Sequence, residues 1–228
     1  MENKVKLCLI ITTSIFFIVF IIVSLGSYSE YYNRKKEKVR MIPNALTNEE
    51  CDIFIDFIDK NAVPSTTTTN TDYFRTSYSA HVGNKNEPPH ITKLVEKLDK
   101  RFAKLVGVDR KYSEKMQGQR YHPGEYFKVH HDAFDYKSKN DQYELKRGGQ
   151  RTYTLMVYLN DVEEGGETYF PNIKTKIKPQ KGMVIIWHNL DEKDQPDKDM
   201  RHEGKPVKKG KKYIITKWFR KNKGMNEV

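Results

Sequence analysis

The chain has 228 residues, with 41 Lys and Arg against 30 Asp and Glu, 37% hydrophobic residues and a net charge of +11. One ordinary domain fits this length, and 14 Tyr, 11 Phe and 2 Trp supply enough apolar surface for a packed core, which excludes global disorder. Two cysteines, Cys8 inside an apolar run and Cys51, exclude a disulfide framework and a thiolate zinc site, so any metal must be held by His and carboxylate.

After a short tail at residues 1–6, Leu7 to Leu25 carries no charge over nineteen residues. As a helix this run reaches roughly 28 Å, enough to cross a bilayer. Segment 7–26 is therefore expected to be a transmembrane signal-anchor. The alternative is a cleaved signal peptide, but the apolar run exceeds the usual length of about 7 to 15 residues, and Ser24-Leu25-Gly26 is only a passable cleavage site. Lys4 and Lys6 precede the span while Arg34, Lys35, Lys36, Lys38 and Arg40 follow it, a balance that keeps the C-terminal body cytosolic. Residues 27–40 read as a charged stalk.

The body is expected at 41–222, followed by a tail at 223–228. Thr47 and Glu50 form a capping-box pattern, and Cys51, Phe54, Ile55 and Ile58 recur at helical spacing, which predicts a helix from about Asn48 to Asp59. Val63 to Thr71 has no periodicity and reads as an exposed loop. Ile91, Leu94, Val95, Leu98, Phe102, Leu105 and Val106 mark a second buried helical stripe, stopped by Gly107. Beyond Lys115 the texture changes to short strand-like runs: KMQGQRY, EYFKVHHD, RTYTLMVYLN, ETYF, GMVIIWH and KKYIITKWF. Helices first and short strands afterwards predict an antiparallel β-sandwich or barrel buttressed by helices on one side. Ala133 to Gln150 reads as a long, mobile polar connection.

Excess positive charge invites a nucleic-acid partner. The basic residues, however, fall in short groups at Arg34 to Arg40, Lys205 to Lys217 and Arg220 to Lys223, with no nucleic-acid motif between them. A solvated basic surface, or attraction to acidic polypeptide, is the simpler expectation.

The densest chemistry is His130-His131-Asp132. In a strand, residues i and i+2 share a face, so His130 and Asp132 point together and His131 points away. Two imidazoles and a carboxylate make the facial triad of non-heme Fe(II) oxygenases; the same donors also suit zinc. H-x-D alone is a common pair, and its weight comes from its company. Tyr121-His-Pro-Gly124 precedes it and Arg151-Thr152 follows, then Tyr158 to Pro171 with EEGGETYFP, Pro179-Gln-Lys-Gly182, His202-Glu-Gly-Lys-Pro-Val207, Gly210-Lys-Lys212 and Thr216-Lys-Trp218.

This string resembles the prolyl 4-hydroxylase family of Fe(II)- and 2-oxoglutarate-dependent dioxygenases, from about Met41 through Arg75-Thr76-Ser77 to Phe219. The resemblance implies a mostly β fold with flanking α-helices, built on a double-stranded β-helix (jelly-roll, cupin-like) core. It implies His130, Asp132 and His202 as iron ligands, Lys212, Thr168 and Tyr121 as contacts to 2-oxoglutarate, and Arg151, Trp218 and Phe127 on the substrate side. Two antiparallel strands joined through PVKKG are expected to carry His202 to the metal and Lys212 deeper into the same cavity. His122, His131 and His188 are expected not to be ligands. The aromatic three residues before the first ligand is usually Tyr in the family and is Phe127 here, so one hydroxyl near the substrate is missing.

The implied activity is procollagen-proline 4-dioxygenase-like. Dioxygen and 2-oxoglutarate are consumed, succinate and carbon dioxide are released, and L-ascorbate restores oxidised iron. The implied partner is a proline-rich or collagen-like polypeptide, and the implied location is the endoplasmic reticulum membrane with the catalytic domain in the lumen, against the flanking charges. Alternatives are a related oxygenase acting on another residue or a nucleobase, which as a rule holds 2-oxoglutarate with arginine where this chain has Lys212, a non-catalytic basic binding module on the same fold, and a membrane-tethered nucleic-acid binder.

Overall fold

The computed structural model describes residues 38–65, 74–84 and 87–223. The expected anchor at 7–26, most of the stalk, most of the 63–71 loop and nearly all of the C-terminal tail lie outside the described residues. Among the described residues no helix is long and apolar enough to cross a membrane. The compact body begins at Val39, two residues inside the segment read as stalk, because strand β1 (Val39–Ile42) adds an edge to the main sheet.

Helix α1 (Asn48–Asn61) starts where the sequence places it. Thr47 Oγ1 accepts from the Glu50 amide and the Glu50 carboxylate accepts from the Thr47 amide. The same carboxylate accepts from Arg101 at 2.8 and 3.1 Å and pairs with Lys97 at 2.9 Å on helix α2 (Pro89–Val106). Burial alone would raise the Glu50 pKa, but Arg101 and Lys97 bring it down to about 2. Gly107, at φ +77°, ends α2 in the left-handed conformation that glycine adopts without cost.

The strands form two principal antiparallel sheets. The larger runs in the order β1, β10 (Val184–His188), β6 (Arg151–Tyr158), β13 (Lys212–Arg220), β4 (Met116–Tyr121), β3 (Tyr78–Val82), β2 (Val63–Pro64). The smaller runs β5 (Phe127–His130), β11 (His202–Gly204), β8 (Thr168–Phe170), β9 (Thr175–Ile177). A third pair joins β7 (Glu164–Gly165) to β12 (Val207–Lys209).

Period-2 alternation gives the large sheet two buried faces. Leu155, Val157, Val184, Ile186, Ile215 and Phe219 pack with Phe54, Ile58, Leu98 and Phe102 of the two helices. The intervening Met156, Tyr158, Ile185, Trp187 and Ile214 face the small sheet and meet Phe170 and Met200. Gly118 in β4 lets α1 approach: a Cβ there would sit 2.6 Å from Ile58 Cγ1. On β13 the parity that buries Ile214 inward also turns Lys212, Thr216 and Trp218 inward, which is how a lysine enters the space between the sheets.

Three expectations change. Ala133 to Gln150 contains helix α3 (Lys139–Gly148), whose amide at Asp141 bonds to Ser138 Oγ; its polar surface, with only Gly148 buried, left no apolar period to read. Val63 and Pro64, expected in a loop, pair with β3. His202 and Lys212 do not sit on paired strands: β11 belongs to the small sheet, β13 to the large one, and the PVKKG link contributes β12 to a third pairing.

Candidate metal centre

β5 and β11 pair with His130 directly opposite His202. Cross-strand partners of an antiparallel pair project to one face, so register alone brings together two imidazoles 72 positions apart in the chain. Their ring centroids are 4.3 Å apart. β5 ends at His130, so Asp132 reaches the same point from the bend that follows, and strand alternation is not what places it. His130, Asp132 and His202 offer donor atoms that all lie within 4.8 Å of one another, and they are the only such three-residue group among the described residues.

Each donor is held from behind. His130 Nδ1 lies 2.7 Å from the Lys128 carbonyl and His202 Nδ1 2.9 Å from the Met200 carbonyl. Both rings therefore keep the proton on Nδ1 and present Nε2, 3.7 and 3.8 Å from the Asp132 carboxylate. Burial, reinforced by His202, pushes the His130 pKa well below its usual value, so this imidazole is neutral. Asp132 Oδ2 accepts from Thr154 Oγ1 at 2.6 Å, and Asn189 Nδ2 donates to that hydroxyl at 2.9 Å. Thr154 and Asn189 thus tie the carboxylate to the large sheet. Neither was singled out in the sequence, where Thr154 reads as an ordinary strand residue; the donor set fits a ferrous ion, with one face left open.

A small inner cavity continues from the triad between the sheets and is lined by Tyr121, Thr168 and Lys212 among others. Lys212 is 2% exposed. Its Nζ lies 5.4 Å from the Tyr121 ring centroid and 5.6 Å from that of Tyr158, with no carboxylate in reach of an ion pair among the described residues. Burial moves its pKa down to about 7. The Tyr158 hydroxyl donates to Thr168 Oγ1 at 2.7 Å, leaving the Thr168 proton to face the cavity. Tyr158 is a third, quoted in the sequence only as the start of a motif and given no role there, since its fully buried strand position resembles plain core. A buried ammonium, a free hydroxyl and a phenol together suit one carboxylate.

On the outer side a groove of about 990 Å³ opens over His130 and Asp132. Phe127 stacks on His130 with centroids 3.6 Å apart, and Phe74 meets Phe127 edge-on. Trp218 lines both cavities, and its buried Nε1 has no hydrogen-bond partner among the described residues. Arg151 reaches the groove wall, where its Nε and one terminal nitrogen donate to Glu114 at 2.7 Å each and its guanidinium lies 3.9 Å from the Trp218 ring centroid. One edge of its fork is thus engaged by Glu114, and its cation lies close to the indole, which it helps to fix on the groove wall where the resemblance places both residues. His131 lines the groove, while His122 and His188 pack on Tyr78 and Tyr153 away from the triad.

Comparison with known proteins agrees with this geometry. A family model described as the 2OG-Fe(II) oxygenase superfamily matches residues 116–220. The chain is 30% identical over 185 residues to an Acanthamoeba polyphaga mimivirus protein assigned as a prolyl 4-hydroxylase, covering 80% of this chain and 74% of that one. It is 35% identical over 140 residues to Prolyl 4-hydroxylase 1 of Arabidopsis thaliana, spanning 56% of this chain and about half (48%) of that relative. Among solved structures, the viral collagen prolyl hydroxylase of Paramecium Bursaria Chlorella virus-1, in its 2-oxoglutarate complex, is 31% identical with a TM-score of 0.62, covering 80% of this chain and 96% of that one.

Proposed function

The chain belongs to the prolyl 4-hydroxylase family of 2OG-Fe(II) oxygenases, and on that footing we propose that it hydroxylates peptidyl proline at C4. In the overall reaction one atom of dioxygen enters the proline C–H bond, the other enters succinate, and 2-oxoglutarate loses carbon dioxide. His130, Asp132 and His202 are the residues that would hold ferrous iron, which when bound supplies the redox chemistry that activates dioxygen. The observation that carries this reading is Lys212, a buried amine with no ion-pair partner among the described residues, in the cavity that continues from the triad.

Each residue has a task of its own. Lys212, with the Thr168 and Tyr121 hydroxyls, anchors the far carboxylate of 2-oxoglutarate and so aims its other end at the triad. The Nδ1 bonds to Lys128 and Met200 keep both imidazole Nε2 atoms turned inward. The ring of Trp218, braced by Arg151, gives a proline a flat wall. Phe127 closes the groove against His130 and keeps water from the reacting C–H. Proline-rich or collagen-like polypeptide is the proposed substrate, supported by the collagen prolyl hydroxylase likeness, and ascorbate the proposed reductant. The uncharged run at 7–26 supports a membrane-anchored enzyme, and the endoplasmic reticulum with a luminal body is proposed from the family resemblance alone, against the flanking charges.

Mass spectrometry of a proline-rich peptide library incubated with protein, Fe(II), 2-oxoglutarate and ascorbate tests this. A gain of one oxygen on proline, absent with His130→Ala, is expected. Oxygen placed only on another residue type, or succinate formed without iron, would overturn the proposal.

A further inference from the structure

The proposed hydroxylation leaves the sequence around the target proline open, and the charge of the outer groove bears on it. Three of its cations are compensated: Arg151 by Glu114, Arg220 by Glu114 and Glu144, and Arg147 by Glu144. Four others, Arg75, Lys115, Lys198 and Arg201, line the same groove with no carboxylate partner among the described residues. Among the described residues Arg75 is held only by the Ser77 and Ser79 hydroxyls, with its guanidinium 4.9 Å from the Phe127 ring centroid, and Lys115 donates only to Asn84. Lys198 and Arg201 sit exposed on the segment leading into His202, beside the metal site itself.

Resting on the hydroxylase reading, we infer that the natural substrate is an acidic proline-containing polypeptide, with Asp or Glu flanking the proline and facing these four cations. Cations left unpaired over an apolar floor hold a potential that draws in and orients opposite charge. Discrete acidic side chains fit better than a polyphosphate backbone. Asp141, outside those ion pairs, also lines the groove and opposes a continuous run of phosphates, while leaving room for carboxylates spaced along a peptide. Aromatic side chains such as Phe74, Phe134 and Trp218 between the charges suit an extended proline-rich segment.

The test uses the full chain and three fluorescent peptides sharing one proline-rich core, flanked by Glu, Gln or Lys. Affinity is read by anisotropy and turnover by oxygen gain. The Glu peptide is expected to bind about five- to tenfold more tightly than the Gln peptide, with Lys weakest, in line with two or three exposed ion pairs. This preference should shrink as salt rises toward about 0.5 M. Lys198→Glu with Arg201→Glu should reverse the Glu-to-Lys order, a ratio independent of absolute activity. Equal affinity for Glu and Gln peptides in the unaltered protein would overturn the inference, as would single-stranded RNA that displaces the Glu peptide and binds more tightly. Preferential binding without oxygen gain would instead sink the hydroxylase reading alone.

Discussion

Replacing Lys212 by Met separates what the ammonium does for the co-substrate from what it does to the fold. Burial carries the lysine from its ordinary 10.5 to about 7. At ~1.4 kcal/mol per pH unit, that gap sets roughly 4–5 kcal/mol against the charged form in the protein alone. The sign follows from proton count. Between pH 10.5 and about 7 the unfolded chain holds more of this proton than the folded one, so this group lowers stability as pH falls through that window and adds nothing further below it. Lys212→Met keeps the volume and removes the charge, so the protein without co-substrate should gain about 1–4 kcal/mol at pH 7. Affinity for 2-oxoglutarate should drop by about 3–5 kcal/mol, a factor on the order of 10² to 10³·⁵, because its far carboxylate is left buried and unpaired. Thermal melts without ligand and anaerobic calorimetry with Fe(II) and 2-oxoglutarate read the two effects separately. In the unaltered protein at pH 8, binding should also take up close to one proton, seen as a dependence of the heat on the buffer. A variant that binds 2-oxoglutarate within about threefold of the parent would refute the anchoring role of Lys212.

Thr154→Val removes the hydroxyl that donates to Asp132 at 2.6 Å, so Fe(II) affinity measured by chelator competition should fall about 10- to 100-fold while far-UV dichroism stays unchanged. Gly118→Ala places a methyl 2.6 Å from Ile58 Cγ1 and should cost about 1–3 kcal/mol in urea melts, with partial recovery on adding Ile58→Val. Glu50, held at about 2 by Arg101 and Lys97 once burial is overcome, adds stability that is complete above its ordinary 4.5 and disappears as pH drops toward 2. Acid titrations of Glu50→Gln should therefore lack the loss that the parent shows in that window.

The elements with strong local signals were legible in the sequence: the Thr47 to Glu50 capping box, the α2 stripe ended by Gly107, and the long apolar runs of β6, β10 and β13. Short polar strands such as β11 and β12 were not, because three residues like His-Glu-Gly carry no period and form only against a partner supplied by the fold. At the site, the cluster of His130, Asp132 and His202 and the nearby Lys212 were marked out by motif order and the resemblance. The residues that hold them were not. Thr154 meets Asp132 across 22 positions, Asn189 meets Thr154 across 35, and Arg151 meets Glu114 across 37, contacts between strand residues and the connections beside them that no local spacing announces. Arg151 shows the consequence: the resemblance placed it on the substrate side, and only the fold shows that it also pairs with Glu114 and lies against Trp218.

The central claim is that oxidation of proline and decarboxylation of 2-oxoglutarate occur together at the centre formed by His130, Asp132 and His202. Turnover under isotopically labelled dioxygen tests it directly. The account predicts one labelled oxygen in hydroxyproline and one in succinate, in equal amounts, both abolished by His130→Ala. Label in succinate with none in the peptide, or product formation that survives the loss of His130, would contradict it.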